Sequence, residues 1–224
     1  MSNRGKIYWC ASPGQAASTA FWNLLVDIHE RKNIKYKKYL LSDVEDTPIQ
    51  ISYETLCNQV EDDKDTIYII KCHNKPINFK LEKNDKIFLS VRDLYQASMS
   101  GRIRKNARDD LKLIDVIRNY LTIYDEWRVY EHFLIPFKSF VFDKKDFIKE
   151  LLPIINLEFE EEEVDELIDA NNNIELNYQE TLLSKRHITS NKKYLHDEKN
   201  LPELVQMYLE KVQTVKKYQN LFGI

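Results

Sequence analysis

Cysteine, glycine and long apolar runs are all scarce in this sequence, and each shortage excludes a class of protein. Only three cysteines occur among 224 residues. Cys10, Cys57 and Cys72 have no metal-ligand spacing, so neither a disulfide framework nor a zinc site is predicted. No apolar run approaches the roughly 18 residues that a membrane span requires. The four glycines come with no internal repeat or low-complexity linker, so we expect a single domain over 1–224.

A charge excess of either sign is also lacking. The formal net charge is -3 with 31% charged residues, which indicates a solvated surface rather than the basic surface of a nucleic-acid-binding protein. No positively charged leader followed by an apolar stretch opens the chain, so secretion is not indicated. We therefore expect a cytoplasmic protein that binds neither nucleic acid nor membrane. Locally placed groups must hold any anionic ligand.

Four short runs rich in β-branched and aromatic residues predict strands of a parallel sheet that is covered on both faces. They are Lys6 to Ser12, Thr66 to Cys72, Lys86 to Arg92 and Ser139 to Asp143. Segments of helical periodicity lie between them, and the pattern beyond the fourth run is helical only. This alternation predicts an α/β fold, with a central, mostly parallel sheet flanked by helices and a helical C-terminal part.

Three amphipathic helices are predicted from the spacing of apolar residues. They cover Ser18 to Lys32, Asp110 to Val129, and a last segment that opens at Asn200 with Pro202 in its first turn. Their predicted inward faces carry Phe21, Leu24, Leu25 and Ile28 in the first helix, Leu111, Ile114, Ile117, Leu121, Tyr124 and Trp127 in the second, and Leu204, Val205, Tyr208, Leu209, Val212 and Val215 in the third.

The first predicted strand ends in a turn, S-P-G-Q-A-A-S-T at 12–19, that runs directly into a helix. Such a turn directs backbone N–H groups and the positive end of the helix dipole at an anion. The hydroxyls of Ser18 and Thr19 add donors, although Ser18 fits the role of a plain helix N-cap equally well. The turn is not the nucleotide triphosphatase loop, because the G-x-x-x-x-G-K-[ST] spacing fails and no lysine precedes Ser18.

The second predicted strand delivers Lys71 and His73 at its carboxyl end, where ligand sites of open parallel sheets lie. The two side chains point to the same side of an extended chain because Cys72 lies between them. An imidazole takes a proton from an acceptor hydroxyl near neutral pH, and an ammonium stabilises charge on transferring oxygens. A structural role for a histidine at a strand end is the alternative.

The third predicted strand leads into Arg92, whose planar fork of donors suits phosphate oxygens. Ser100, in the helix expected to follow, brings a hydroxyl to the same anion. The alternative is that Arg92 pairs with Asp93 or with a neighbouring helix. The basic run from Arg102 to Arg108 is interpreted as a solvated face, with acceptor contact as the other interpretation.

In this order along the chain, the three segments resemble the motifs of sulfotransferases whose donor is 3′-phosphoadenosine 5′-phosphosulfate (PAPS). The opening turn is similar to the family's 5′-phosphosulfate loop, which has a basic residue, two small residues and two hydroxyl residues. That pattern falls on Gln15, Ala16, Ala17, Ser18 and Thr19.

The segment K-C-H-N-K-P at 71–76 is similar to the family's K-T-H-x-x-P element, which holds the general base. The segment from Arg92 to Ser100 is similar to its R-D-x-x-x-x-x-x-S element, whose Arg and Ser bind the 3′-phosphate of the donor. Lys185 and Arg186 stand where the family has a basic loop that wraps the same phosphate. The resemblance covers nearly the whole chain and implies a P-loop-like three-layer architecture.

The resemblance implies that a sulfuryl group moves from PAPS to a hydroxyl or amine of a small-molecule or saccharide acceptor, releasing adenosine 3′,5′-bisphosphate (PAP). His73 is then the general base. Lys71 and the turn from Gly14 to Thr19 neutralise the phosphosulfate, while Arg92 and Ser100 grip the 3′-phosphate. No metal is implied, because fixed donors supply the charge stabilisation.

Two residues depart from the family's pattern. Gln15 stands where family members carry Lys or Arg, and Ala20 stands where many carry a tryptophan that stacks on adenine, although Phe21 and Trp22 are close by. Two other functions stay open: a catalytically degenerate protein that binds PAP or PAPS without turnover, and a P-loop nucleotide kinase, which the missing lysine of the triphosphatase loop disfavours.

Overall fold

The computed structural model describes residues 4–14, 16–76, 78–98, 110–172 and 202–221. Within them the strands are β1 (Lys6–Ala11), β2 (Tyr36–Leu41), β3 (Gln50–Ile51), β4 (Ile67–Cys72), β5 (Lys86–Val91) and β6 (Phe133–Pro136). The helices are α1 (Ser18–Arg31), α2 (Tyr53–Asp62), α3 (Asp110–Trp127), α4 (Phe137–Phe142), α5 (Lys144–Ile154), α6 (Glu161–Asn172), α7 (Glu203–Lys211) and α8 (Gln213–Leu221). Residues 94–98 are also helical.

The strands of the described residues form one sheet in the order β3-β2-β4-β1-β5-β6. Every neighbouring pair is parallel. β1 lies in the interior of the sheet, with Ala11 paired to Cys72 of β4 on one side and to Leu89 of β5 on the other. The carboxyl ends of these three strands therefore meet at one edge of the sheet.

Alternate residues of β1 enter two separate cores, as the two-residue period of a strand requires. Ile7, Trp9 and Ala11 pack on the face that α2, α3, α7 and α8 cover. Tyr8 and Cys10 pack on the opposite face, which α1, α5 and α6 cover. Helices on both faces of a parallel sheet make three layers, so the predicted α/β fold class is confirmed, and the sheet is wholly parallel.

Three of the four predicted strands are confirmed to within one residue, and the fourth is wrong. The run from Ser139 to Asp143 lies largely in α4, and the preceding residues form β6. Pro136 stands at the N-cap of α4. The apolar residues Phe137, Phe140 and Val141 have the i, i+3, i+4 spacing of a helix face, and this spacing prevailed over their strand propensity.

The predicted inward faces are confirmed in α1 and in most of α3, but Leu111 is 64% exposed. Leu113 takes the buried position in that turn, and Leu111, two residues earlier, is rotated from it by about 200° around the helix axis. The last predicted helix is two helices that meet at Val212. Leu204 is 47% exposed because Val205 faces the core in its place. Within the described part of the chain, each helix is too short or too polar to cross a bilayer.

The stability of the protein is expected to fall below neutral pH because of His29 in α1. The His29 ring is fully buried, its Nδ1 lies 2.6 Å from the Leu25 carbonyl oxygen, and burial lowers its pKa from 6.5. The unfolded chain therefore binds more protons than the folded chain below about pH 6.5, and stability decreases there by at most about 1.4 kcal/mol per pH unit.

Urea unfolding at about pH 7.5 and about pH 5.5 measures this effect. His29→Leu removes the titrating group and should reduce the pH dependence of the free energy of unfolding. His132→Leu, at a partly exposed histidine, is the control and should behave as the wild type. Equal pH dependence in the wild type and His29→Leu would contradict the assignment.

Candidate functional site

The three segments with predicted anion-binding residues leave the sheet next to one another. β1 lies between β4 and β5, and neighbouring strands are about 4.8 Å apart. The turn at 12–19 follows β1, His73 follows β4, and Arg92 follows β5. Since all three strands are parallel, these residues share the carboxyl edge of the sheet, where ligand sites of such sheets occur.

The turn after β1 leads into the N-terminus of α1. Ala17 occupies the N-cap position with φ 61 and ψ 18, and among the described residues no side chain caps this end. A left-handed conformation costs a non-glycine residue on the order of 1–2 kcal/mol, and such strain concentrates at functional sites. Ser18 is the first helical residue, so its interpretation as the N-cap is wrong. The first backbone N–H groups of a helix have no partner within it and suit an anion.

Gly14 and Ala16 lie on either side of Gln15, which lies outside the described residues. Gly14 is half-buried, and apart from its chain neighbours no described residue has an atom within 4 Å of the position that a Cβ would take there. Ala16 is 1% exposed and packs in the core on the α2 and α3 face. The backbone at Gly14 is therefore uncrowded by the more distant described residues, while Ala16 packs at the end of the turn.

The Lys71 ammonium joins β4 to the first turn of α1. Its Nζ donates a hydrogen bond to Thr19 Oγ1 at 2.6 Å. Both residues are buried, with Lys71 5% and Thr19 7% exposed, and the neighbouring Ser18 is 4% exposed. A cation and two hydroxyls thus lie beside the positive end of the helix, and every one of these groups favours a bound anion.

The His73 imidazole contacts the turn directly. Its Nδ1 lies 2.8 Å from the Ser12 carbonyl oxygen, and the Ser12 N–H donates to the Cys72 carbonyl at 3.0 Å. A carbonyl oxygen only accepts hydrogen bonds, so Nδ1 carries the proton and Nε2 of the neutral ring carries the lone pair. In this tautomer Nε2 is the nitrogen that can accept a proton.

A hydrogen bond from α3 holds the loop that carries His73. Trp127 Nε1 donates to the carbonyl oxygen of Asn74 at 2.8 Å, and Trp127 itself is fully buried. The same helix contacts the other end of the site, because the Tyr120 hydroxyl accepts from the Arg92 N–H at 2.6 Å. Tyr120 and Trp127 are seven residues apart, which corresponds to about 10.5 Å along a helix axis. This length is similar to the distance between β4 and β5, which are two strand spacings apart because β1 lies between them.

Arg92 is buried at the end of β5, with 4% exposure. Its guanidinium carbon lies 4.0 Å from the centroid of the Phe137 ring. Asp93, the alternative partner, caps the helical residues 94–98 by accepting from the Gln96 N–H at 2.9 Å, and burial raises the pKa of its carboxyl group.

Several predicted site residues lie outside the described residues: Gln15, Ser100, Lys185, Arg186 and the basic run at 102–108. The aromatic residues beside Ala20 belong to the core. Phe21 packs against Phe88, and the Trp22 indole donates to the Ile69 carbonyl at 2.9 Å.

The sequence interpretation missed three side chains that support the site, namely Tyr120, Trp127 and Tyr218. The spacing of apolar residues predicts only that Trp127 faces inward, yet a buried indole N–H needs an acceptor, and this requirement is a usable signal. Tyr120 follows Ile117 by three residues and so shares its face. No local pattern connects Tyr218 to Arg92.

Comparison with family models finds no match, and comparison with curated proteins finds none either. Among solved structures, the chain is similar to the sulfotransferase domain from the olefin synthase of Synechococcus PCC 7002. The TM-score is 0.53 at 13% sequence identity, over 96% of this chain and 94% of that chain. At this identity the similarity concerns the fold alone, and the chain has a sulfotransferase-like fold.

Proposed function

We propose that this protein is a sulfotransferase that transfers a sulfuryl group from PAPS to a hydroxyl or amine of a small-molecule or saccharide acceptor. The observation that carries the proposal is the contact of the His73 ring with the turn, because it brings a base to an anion-binding helix N-terminus. The sulfotransferase-like fold over nearly the whole chain supports the same function.

The donor set at the site fits a phosphosulfate. The open N-terminus of α1 and the Ser18 hydroxyl supply neutral donors, and Lys71 supplies a positive charge at the Thr19 hydroxyl. Donors fixed in advance stabilise charge on a leaving phosphate without reorganising during the reaction.

In the proposed reaction His73 Nε2 removes the proton from the acceptor hydroxyl as the acceptor oxygen bonds to sulfur. The bond between sulfur and the bridging oxygen of the 5′-phosphate breaks, and that oxygen carries the electron pair away on PAP. Lys71, Thr19 and the first N–H groups of α1 stabilise the charge that develops there. Arg92, Ser100, Lys185 and Arg186 are proposed to bind the 3′-phosphate, so that binding energy remote from sulfur holds the donor in line.

Isothermal calorimetry with PAP, ADP and magnesium ATP tests the donor class without knowledge of the acceptor. We expect PAP to bind at least about tenfold more tightly than ADP or ATP, which lack the 3′-phosphate. Tighter binding of magnesium ATP would favour a kinase. Radiolabelled PAPS with a panel of phenols, alcohols, amines and saccharides then tests transfer, and tight PAP binding without transfer would favour a degenerate binding protein.

Gln15→Lys is expected to raise the rate of transfer, because Gln15 stands where a cation is expected beside the developing anion. An amide carries no charge, and the missing cation costs on the order of 3 kcal/mol, near a hundredfold in rate. Steady-state kinetics of Gln15→Lys against the wild type measures the gain, with the uncharged Gln15→Met as the control. An unchanged or lower rate in Gln15→Lys would contradict the assignment of Gln15 to the basic position.

A further inference from the structure

Two buried tyrosines hold the backbone of Arg92. The Arg92 N–H donates to the Tyr120 hydroxyl oxygen at 2.6 Å, and that oxygen lies 3.1 Å from the Arg92 carbonyl oxygen. The Tyr218 hydroxyl lies 3.0 Å from the same carbonyl oxygen and 3.0 Å from the Tyr120 hydroxyl. Both tyrosines are 3% exposed. The two hydroxyls and the backbone N–H and C=O of Arg92 therefore form one hydrogen-bonded cluster.

The two tyrosine hydroxyls provide the backbone of Arg92 with hydrogen-bond partners where the pairing of β5 in the sheet ends. Arg92 follows the last residue of β5, and a buried peptide group that leaves a ladder needs new partners. The rings that supply the partners are themselves fixed, since Tyr218 packs edge-to-face on Tyr120 at 5.7 Å and on Tyr124 at 4.8 Å. Burial raises the pKa of both hydroxyls, so each keeps its proton for donation across the physiological range.

The side chain of Arg92 is held at its other end by Phe137. The guanidinium carbon lies 4.0 Å from the ring centroid, and Phe137 follows Pro136, which pairs with Val91 in the sheet. Contact with an aromatic face restricts the orientation of a guanidinium group. Phe137, which follows β6 and begins α4, thereby restricts the orientation of the guanidinium group. Tyr120 of α3 and Tyr218 of α8 fix the position of the Arg92 backbone.

We propose that Tyr120, Tyr218 and Phe137 are positioning residues that hold the Arg92 fork toward the 3′-phosphate of the nucleotide and so determine the preference of the site for a 3′-phosphorylated donor. This inference rests on the proposed function. A bidentate phosphate contact depends on the orientation of the fork, and a side chain ordered before binding loses less freedom when it binds. Loss of the tyrosine contacts to the Arg92 backbone, or of the Phe137 contact to its guanidinium, should weaken binding of the 3′-phosphate and leave the other contacts with the nucleotide unchanged.

The ratio of the dissociation constants of adenosine 5′-monophosphate (AMP) and PAP, measured by calorimetry, tests the inference. Tyr218→Phe keeps the ring and removes one hydroxyl, and we expect it to reduce this ratio by about fivefold to tenfold with little change in AMP affinity. Phe137→Leu, which removes the stacking surface, should reduce the ratio in the same direction. The double variant Tyr120→Phe/Tyr218→Phe should reduce it further.

Tyr68→Phe is the matched control, because the Tyr68 hydroxyl also donates to a backbone carbonyl, that of Gln59, at 2.8 Å. It should lower thermal stability about as much as Tyr218→Phe and leave the ratio unchanged. A ratio retained within about twofold in both Tyr218→Phe and Phe137→Leu, or an equal loss of PAP and AMP affinity, would overturn the inference. A wild type that binds AMP as tightly as PAP would instead overturn the proposed function. If Tyr218→Phe does not fold, Phe137→Leu decides the question.

Discussion

Replacement of His73 by alanine is expected to lower kcat for sulfuryl transfer by about 10²- to 10⁴-fold while the affinity for PAP stays unchanged. The Ser12 carbonyl holds Nδ1 of the His73 ring in the protonated form, so the lone pair on Nε2 is the group that the variant loses. PAP carries no acceptor proton, and its binding should therefore not depend on a base. Initial rates with radiolabelled PAPS and the best acceptor of the panel measure the loss.

His132→Ala is the matched control for this prediction. His132 Nδ1 also lies near a backbone carbonyl oxygen, that of Tyr130, at 2.7 Å, but the residue precedes β6 and so lies toward the opposite edge of the sheet. It should retain the rate of the wild type. A His73→Ala variant with wild-type kcat, or one whose PAP affinity falls as much as its rate, would show that His73 has a structural role.

Lys71→Met is expected to lower kcat/KM by about 10²- to 10³-fold without a matching loss of stability. The ammonium is buried beside Thr19, and an apolar side chain of similar length does not carry the desolvation cost of a buried charge. The loss of activity should therefore occur in a protein whose melting temperature is unchanged or higher. Thr19→Val should cause a smaller loss, since it removes a hydroxyl and leaves the cation.

Lys37→Met provides the comparison for Lys71→Met. Lys37 Nζ also donates to a hydroxyl, that of Tyr68, at 3.4 Å, but Lys37 lies in β2 away from the turn. Its replacement should leave kcat/KM unchanged. If Lys71→Met lost activity only in proportion to a loss of folded protein, Lys71 would be a structural residue, and the proposed role at the phosphosulfate would be wrong.

The interior of the sheet could be predicted from the sequence, and its margins could not. β1, β4 and β5 are buried on both faces, so each is a nearly continuous apolar run. β2 reads Y-K-K-Y-L-L and is largely half-exposed, because its outer neighbour β3 has only two residues. β6 has four residues, F-L-I-P. Strands this short or this polar carry no period that distinguishes them from loops.

The candidate site could be predicted as far as its position on parallel strands. The turn after β1, His73 and Arg92 each follow a recognisable buried run, and a parallel sheet brings the ends of adjacent strands together. The contacts between them depend on long-range packing. Asn74 meets Trp127 across 53 residues, and Arg92 meets Tyr218 across 126. No local periodicity records contacts at such separations.

Determination of a crystal structure of the protein with bound PAP is the most direct test of the central claim that one nucleotide spans the carboxyl ends of β1, β4 and β5. The 5′-phosphate should lie at the N-terminus of α1 within hydrogen-bond distance of Thr19 or Lys71, and the 3′-phosphate should contact the Arg92 guanidinium. PAP bound at another edge or face of the sheet, with no contact to these three residues, would contradict the claim.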